Sequence, residues 1–176
     1  MQRWIAPRTE SRPAPTPAAL DAWQTDAGLL LPDDYRTFLL RHNGGHPYPQ
    51  KFQHTALEPG DFDNPTEHYL DPLYAWEKVL GWSAELGNRL PAACLAIGAD
   101  AGLIEIVLSL RPEDHGAVYS WVRNWAVWGN EDNRYLCPQA SSFTAFMRSL
   151  NDDEEENGLA AWRTPKRWLH KQPLDL

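Results

Sequence analysis

Leu31-Pro32-Asp33-Asp34-Tyr35-Arg36-Thr37-Phe38-Leu39-Leu40-Arg41-His42-Asn43-Gly44-Gly45 reads as a short amphipathic helix with an abrupt exit. Pro32 suits a first helical position, where no intrahelical N–H is required. Asp33 and Asp34 then fall in the first turn, where unpaired amides favour negative charge. Leu31, Tyr35, Phe38, Leu39 and His42 recur at i, i+3, i+4 spacing and share one face. Asn43-Gly44-Gly45 ends the helix, because Asn and Gly tolerate the left-handed backbone that such an exit needs.

Upstream, Pro17 to Gly28 carries a second helical pattern in which Leu20, Trp23 and Ala27 share a stripe and Gly28 stops it. The two helices form a hairpin joined through Leu29 to Leu31. Only Arg36 and Arg41 are cationic on its second helix, against Asp33 and Asp34, so nothing in it supports DNA reading. Before the hairpin, Pro7, Pro13 and Pro15 remove amide donors and fix φ, which disfavours a long helix or a central strand. Arg8 to Thr16 reads as an irregular lead-in docked by Trp4.

Downstream, His46-Pro47-Tyr48-Pro49 reads as a stiff loop, and Gln50 to Thr55 as an edge strand or extended loop with Phe52 inward. Ala56 to Leu70 is acidic and interrupted by Pro59, Gly60 and Pro65, which suits an ordered loop over the sheet. Asp71-Pro72 offers a cap and a first helical residue for a helix burying Leu73, Trp76, Val79 and Leu80, with Gly81 kinking or ending it.

Cys94 to Ala99, Leu103 to Leu110 and Ala117 to Val122 carry the sheet. In the middle segment Ile104, Ile106, Leu108 and Leu110 line a continuously apolar face for the helices. Leu103, Glu105 and Val107 line the other, where Glu105 is available to a partner. Asp100 to Gly102 and Glu113 to Gly116 are short turns, so consecutive antiparallel strands are expected. Trp125 to Trp128 add a strand or lie along the sheet edge. Ser141 or Ser142 caps a last helix on which Phe143, Phe146, Met147 and Leu150 repeat at helical spacing. The elements predict a single α+β domain, a mainly antiparallel sheet packed with helices, over residues 18–150. Residues 1–17 form a proline-rich lead-in, and 151–176 an acidic linker with a basic, Trp-containing extension.

At 176 residues the chain suffices for one domain with a substantial core. Its formal net charge of -8 argues against a phosphate-backbone binder, hence against direct nucleic-acid contact, and suits a basic protein partner. Nine Trp are many for this size and should anchor a core, a surface helix or a partner contact. No apolar run is long enough to span a membrane, and the first residues lack the apolar centre of a signal peptide, so a cytoplasmic protein without membrane contact is expected.

Few residues combine into chemistry. His42 and His46 are spaced like ligands on a helix, but Asn43-Gly44-Gly45 ends the helix between them. Asp61 and Asp63 lack the pattern of a calcium loop. Cys94 lies in an apolar run and Cys137-Pro138 in a loop, neither beside a base. His115 sits where a hairpin needs its turn, and Gly98 to Gly102 lacks the spacing of a phosphate-cradling loop. No catalytic, cofactor or metal residue is assigned, and the chain reads as non-enzymatic. Acidic and aromatic surface remains: Glu58, Asp61, Asp63, Glu67, Glu131 and Asp132 are candidates for steering a cationic protein, and Trp125 and Trp128 for anchoring it.

Taken in order, several segments resemble the SUKH superfamily, which includes bacterial immunity proteins and fungal cell-wall-assembly regulators. They are Leu31-Pro32…Tyr35…Phe38-Leu39…Asn43-Gly44-Gly45, Leu90-Pro91, Leu95-Ala96-Ile97-Gly98, Asp100 and Gly102, Ile104 to Leu110, Gly116-Ala117-Val118-Tyr119 and Ser142-Phe143…Phe146. The resemblance implies an α+β fold and a protein-binding module, with no catalytic residues to carry over. Relatives commonly neutralise toxins used between bacteria, often nucleases. The implied function is therefore neutralisation of a cognate protein toxin, with a basic nuclease as one target class. The alternative is a regulatory protein-interaction adaptor without a toxin target. Gly102-Leu103 stands where relatives often have Gly-Asn, and the proline-rich beginning and Trp-containing tail are additional.

Overall fold

The computed structural model describes residues 3–7, 13–55, 66–100, 102, 104–122, 136–151 and 172–174. In chain order these form β1 (Trp4–Ala6), α1 (Pro17–Ala27), α2 (Asp33–Arg41), β2 (His46–Tyr48), β3 (Lys51–His54), β4 (Thr66–Tyr69) and α3 (Trp76–Leu86). They continue as β5 (Cys94–Ala99), β6 (Ile104–Ser109), β7 (Val118–Val122), β8 (Leu136–Ala140), α4 (Phe143–Ser149) and β9 (Gln172–Pro173). All pairings are antiparallel, in sheets ordered β2-β1-β9, β3-β4 and β5-β6-β7-β8. The single-domain α+β architecture expected from the sequence is the one observed.

Helix α1 starts on Thr16, whose Oγ1 accepts from Ala19 N at 3.1 Å, and stops at Gly28 in the left-handed region. In α2 the register differs by one residue: Pro32 is the cap, its carbonyl accepting from Arg36 N, and Asp33 opens the helix. Tyr35, Phe38 and Leu39 are buried as the periodicity predicts, and Tyr35 and Phe38 pack on Phe143 of α4. Two polar residues of the motif serve distant helices. Asp34 Oδ2 accepts from Thr144 N at 2.8 Å at the start of α4. Asn43 Oδ1 accepts from Trp76 N at 2.8 Å, capping α3, and its Nδ2 donates to Pro13 O at 3.0 Å.

The motif's glycines admit backbone. A Cβ on Gly44 would lie 2.6 Å from Ala75 N, and one on Gly45 2.7 Å from Ala6 O. This closeness lets residues 71–74 run extended between two sheets: Leu73 exchanges both backbone bonds with Gly45, while Asp71 N and Tyr74 N donate to Ala99 O and Ile97 O of β5. That ladder explains why α3 does not begin at Asp71-Pro72 as expected. Those amides are engaged across strands, and the helix waits for the Asn43 cap at Trp76. Nor does Gly81 end it; α3 runs on to Leu86.

Three other segments expected to be irregular are strands. His46–Tyr48 and Leu136–Ala140 contain Pro47 and Pro138, and both lie at an edge of their sheets, where a missing amide costs no ladder bond. Thr66–Tyr69, assigned to a loop, pairs along the whole of β3. Trp4–Ala6 is the central strand of its sheet rather than a mere dock, with Ile5 in the core and Gln172–Pro173 on its other side. In β6 both faces are buried: Ile104, Ile106 and Leu108 join the large core, and Val107 a second cluster with Leu86, Trp121 and Leu136. Glu105 is consequently 1% exposed, accepting from Tyr74 OH at 3.1 Å, and is not available to a partner.

Candidate partner-binding surface

The β3–β4 hairpin has two unlike faces. Residues alternate across a strand, so Phe52, His54, Thr66 and His68 share one side and Lys51, Gln53, Glu67 and Tyr69 the other. On the second side Gln53, Glu67 and Tyr69 are exposed while Lys51 is buried; Glu67 Oε2 lies 3.4 Å from Lys51 Nζ, and its Oε1 accepts from Gln53 Nε2 at 3.3 Å. Tyr69, directly opposite Lys51, has the lysine Nζ 5.5 Å from its ring centroid and is 40% exposed. A fixed carboxylate and an accessible aromatic ring thus stand two residues apart on one strand.

Beneath them lies a polar cluster that is buried at His54 and Ser120 and half-buried at Thr66, His68 and Asp100. His54 Nδ1 is 2.7 Å from Ser120 Oγ, which also accepts from Gln139 Nε2 at 2.8 Å. His68 Nδ1 is 2.7 Å from Asp100 Oδ2, and its Nε2 2.8 Å from Thr66 Oγ1. A serine, histidines and an aspartate suggest a nucleophile with its relay, but the connections differ. The histidine on Ser120 is not the one on Asp100, and Ser120 is fully buried. His54 is held below its ordinary pKa by burial first and by the neighbouring His68 second, against an opposing pull from Asp100. Its Nε2 has no hydrogen-bond partner among the described residues. The cluster ties β3 and β4 to β7 and to the end of β5.

A second network closes the β6–β7 turn. Asp114 accepts from Ser109 Oγ at 2.5 Å, Tyr119 OH at 2.6 Å and Arg111 Nε at 3.0 Å. Burial opposes its ionisation, but these bonds outweigh that and bring the carboxyl down to about 2. The Tyr119 hydroxyl is pushed up to about 12 by burial and by the same carboxylate. Beside this turn His115 Nε2 meets Leu30 O at 2.9 Å, holding up a leucine that is 68% exposed above a groove of about 490 Å³ lined by Gln24, Pro32 and Arg36. Cys94 and Cys137 are buried free thiols, and burial raises Cys94 to about 11, far from a reactive thiolate. Among the described residues no group of three or more His, Cys, Asp or Glu is placed to hold a metal ion. His46 instead pairs with Asp71.

The sequence profile of the SMI1 / KNR4 family (SUKH-1) matches residues 14–149, well over half of the chain. The chain belongs to that family. No curated protein matches it. The SUKH-1 match spans the α1–α2 hairpin, the residue 71–74 ladder, the four-stranded sheet and α4, so the asparagine and glycines that join these parts lie inside it.

Of the partner-contact candidates in this SUKH-1 chain, Glu67 is the one the structure places, exposed on β4. Glu58, Asp61 and Asp63 fall in 56–65, and Trp125, Trp128, Glu131 and Asp132 in 123–135, outside the described residues. Tyr69 was missed. Its signal is the alternation Thr66-Glu67-His68-Tyr69, hidden between Pro65 and Pro72 in a stretch whose composition suits a loop. Among the described residues no helix is long and apolar enough to cross a membrane.

Proposed function

We propose that this protein is a non-catalytic immunity protein of the cytoplasm, which binds a cognate bacterial toxin and blocks its activity, with basic enzymes such as nucleases as the target class. Membership of the SUKH-1 family is the observation that carries this reading. The net charge of -8 supports it, because an acidic surface accelerates encounter with a basic target and repels nucleic acid. So does the placement of the titratable groups that converge in the fold. His68 is bonded to Asp100 and His54 to Ser120, so the histidine that meets the serine is not the one that meets the carboxylate.

The test pairs the protein with the toxin encoded beside its gene, measuring binding by calorimetry and survival of cells expressing that toxin. A stoichiometric complex with protection is expected, and its association should slow as salt rises. Two folded proteins that neither bind nor protect would rule the role out in favour of a regulatory adaptor.

A further inference from the structure

We infer that the outer edge of β4 is a docking edge that accepts an extended basic segment of the partner as an added antiparallel strand. This rests on the protein-binding reading above and specifies its mode. The backbone phase carries it. Lys51 gives both its N–H and its C=O to Asn151, on the side of β3 away from β4, and Leu70 N donates to Gln50 O. The pair Lys51–Tyr69 is therefore one whose backbone groups point outward from the hairpin, and the pair Gln53–Glu67 follows by alternation, as the bond from Gln139 Nε2 to Gln53 O at 2.9 Å shows. On β4 the N–H and C=O of Glu67 and Tyr69 face away from β3, with no hydrogen-bond partner among the described residues.

Other edges in the described fold are closed. Strands β2, β8 and β9 carry Pro47, Pro138 and Pro173. Residues 71–74 cover β5, and Asn151 with Gln139 covers β3. The β4 edge holds no proline, and among the described residues nothing bonds to its outer backbone groups. The side chains beside the open groups say what fits. Residues of an added strand opposite Glu67 and Tyr69 would share their face, setting a cation against the carboxylate and another over the ring. The contacts of Glu67 to Lys51 and Gln53 are long, 3.4 and 3.3 Å, and hold the carboxylate without saturating it. A second copy of this chain would bring its own Glu67 to this edge, so a basic partner is favoured over self-pairing.

The probe is a capped eight-residue peptide alternating arginine and valine, titrated into the full chain by fluorescence anisotropy at low salt. In the antiparallel register the amides of the arginines face β4 and those of the valines face away. Methylating the arginine amides should weaken binding at least tenfold, and methylating the valine amides should change it less than threefold. Glu67→Gln should weaken the unmethylated peptide several-fold, an effect that shrinks with salt. Equal sensitivity to both methylation patterns, sensitivity to neither, the reverse pattern, or no binding would each overturn the proposal; a merely electrostatic attraction gives the second of these. Toxin measurements separate this inference from the reading it rests on. If Tyr69→Pro binds toxin as wild type does, the immunity role survives and the docking edge does not. Pattern-sensitive peptide binding without toxin binding leaves the edge and removes the immunity role.

Discussion

Replacing Asn43 by alanine removes a helix cap supplied from 33 residues away in sequence. Helix α3 begins after Ala75, which has no side chain able to cap it, so Asn43 Oδ1 is the acceptor for the first helical amide. Losing that acceptor at a buried helix start costs about 1–3 kcal/mol. Asn43 also sits at φ 50°, which alanine tolerates less well by about 1 kcal/mol. The expected loss is about 2–4 kcal/mol, or on the order of 5–15 °C in Tm for a chain of this size. Two further substitutions divide the total. Asn43→Gly relieves the backbone while losing the cap, so it should be less damaging than alanine by about 1 kcal/mol. Asn43→Asp keeps an acceptor at a helix N-terminus but sets an oxygen against Pro13 O where Nδ2 had donated, so it should cost less than alanine but more than nothing. Equilibrium urea unfolding at neutral pH, with unchanged m-values, reads all three. Wild-type stability in Asn43→Ala, or equal damage from Asp and Ala, would refute the capping account.

Two glycines should respond to alanine with opposite signs. A Cβ on Gly98 would lie 2.9 Å from Pro72 O and 3.3 Å from Leu73 Cα, backbone that cannot swing aside, so Gly98→Ala should lower the denaturation midpoint by the equivalent of about 1–3 kcal/mol. Gly81 lies inside α3 with nothing within 4 Å, and Gly81→Ala should raise stability by about 0.5–1 kcal/mol. His54, held below 6.5 by burial, makes stability complete above that pH and declining as pH falls through it, because the unfolded chain takes up a proton that the folded one refuses. His54→Gln should flatten the decline, whose slope is at most about 1.4 kcal/mol per pH unit, and an unchanged slope would count against the buried neutral ring. Asp114, brought down to about 2 from 3.8, contributes stability that is full above its unfolded value and is lost as pH falls toward the folded one. Asp114→Asn should abolish that acid limb in a pH series of melts and cost about 1–3 kcal/mol at neutral pH.

Periodicity in the sequence was enough to locate α2, α4 and strands β5, β6 and β7, because each buries one face or both along consecutive residues and so records its own packing. Helix α1 buries Leu20 alone of its expected stripe, with Trp23 half-buried and Ala27 exposed, and Gly28 marks its end. The motif Leu31 to Gly45 also displayed its helix and its exit, through Asp33, Asp34, Asn43 and the two glycines. Its wider role could not be read there. That Asp34 reaches α4, that Asn43 starts α3 and that Gly45 and Gly98 flank Leu73 are contacts between segments far apart in the chain, and no local pattern encodes them. The same holds for Pro47 and Pro138, which argue against strands until the sheet order places both at edges. Glu105 looked available because a carboxylate marks the outer face of a strand, and only the second apolar cluster around Val107 and Trp121 shows that face to be interior. For the contact surface, composition pointed to acid, with Glu67 among the candidates. Tertiary structure decided that Glu67 stands beside Tyr69 on a strand edge with no backbone partner among the described residues, since whether an amide is engaged depends on which strand lies next to it, and the chain's own order does not say.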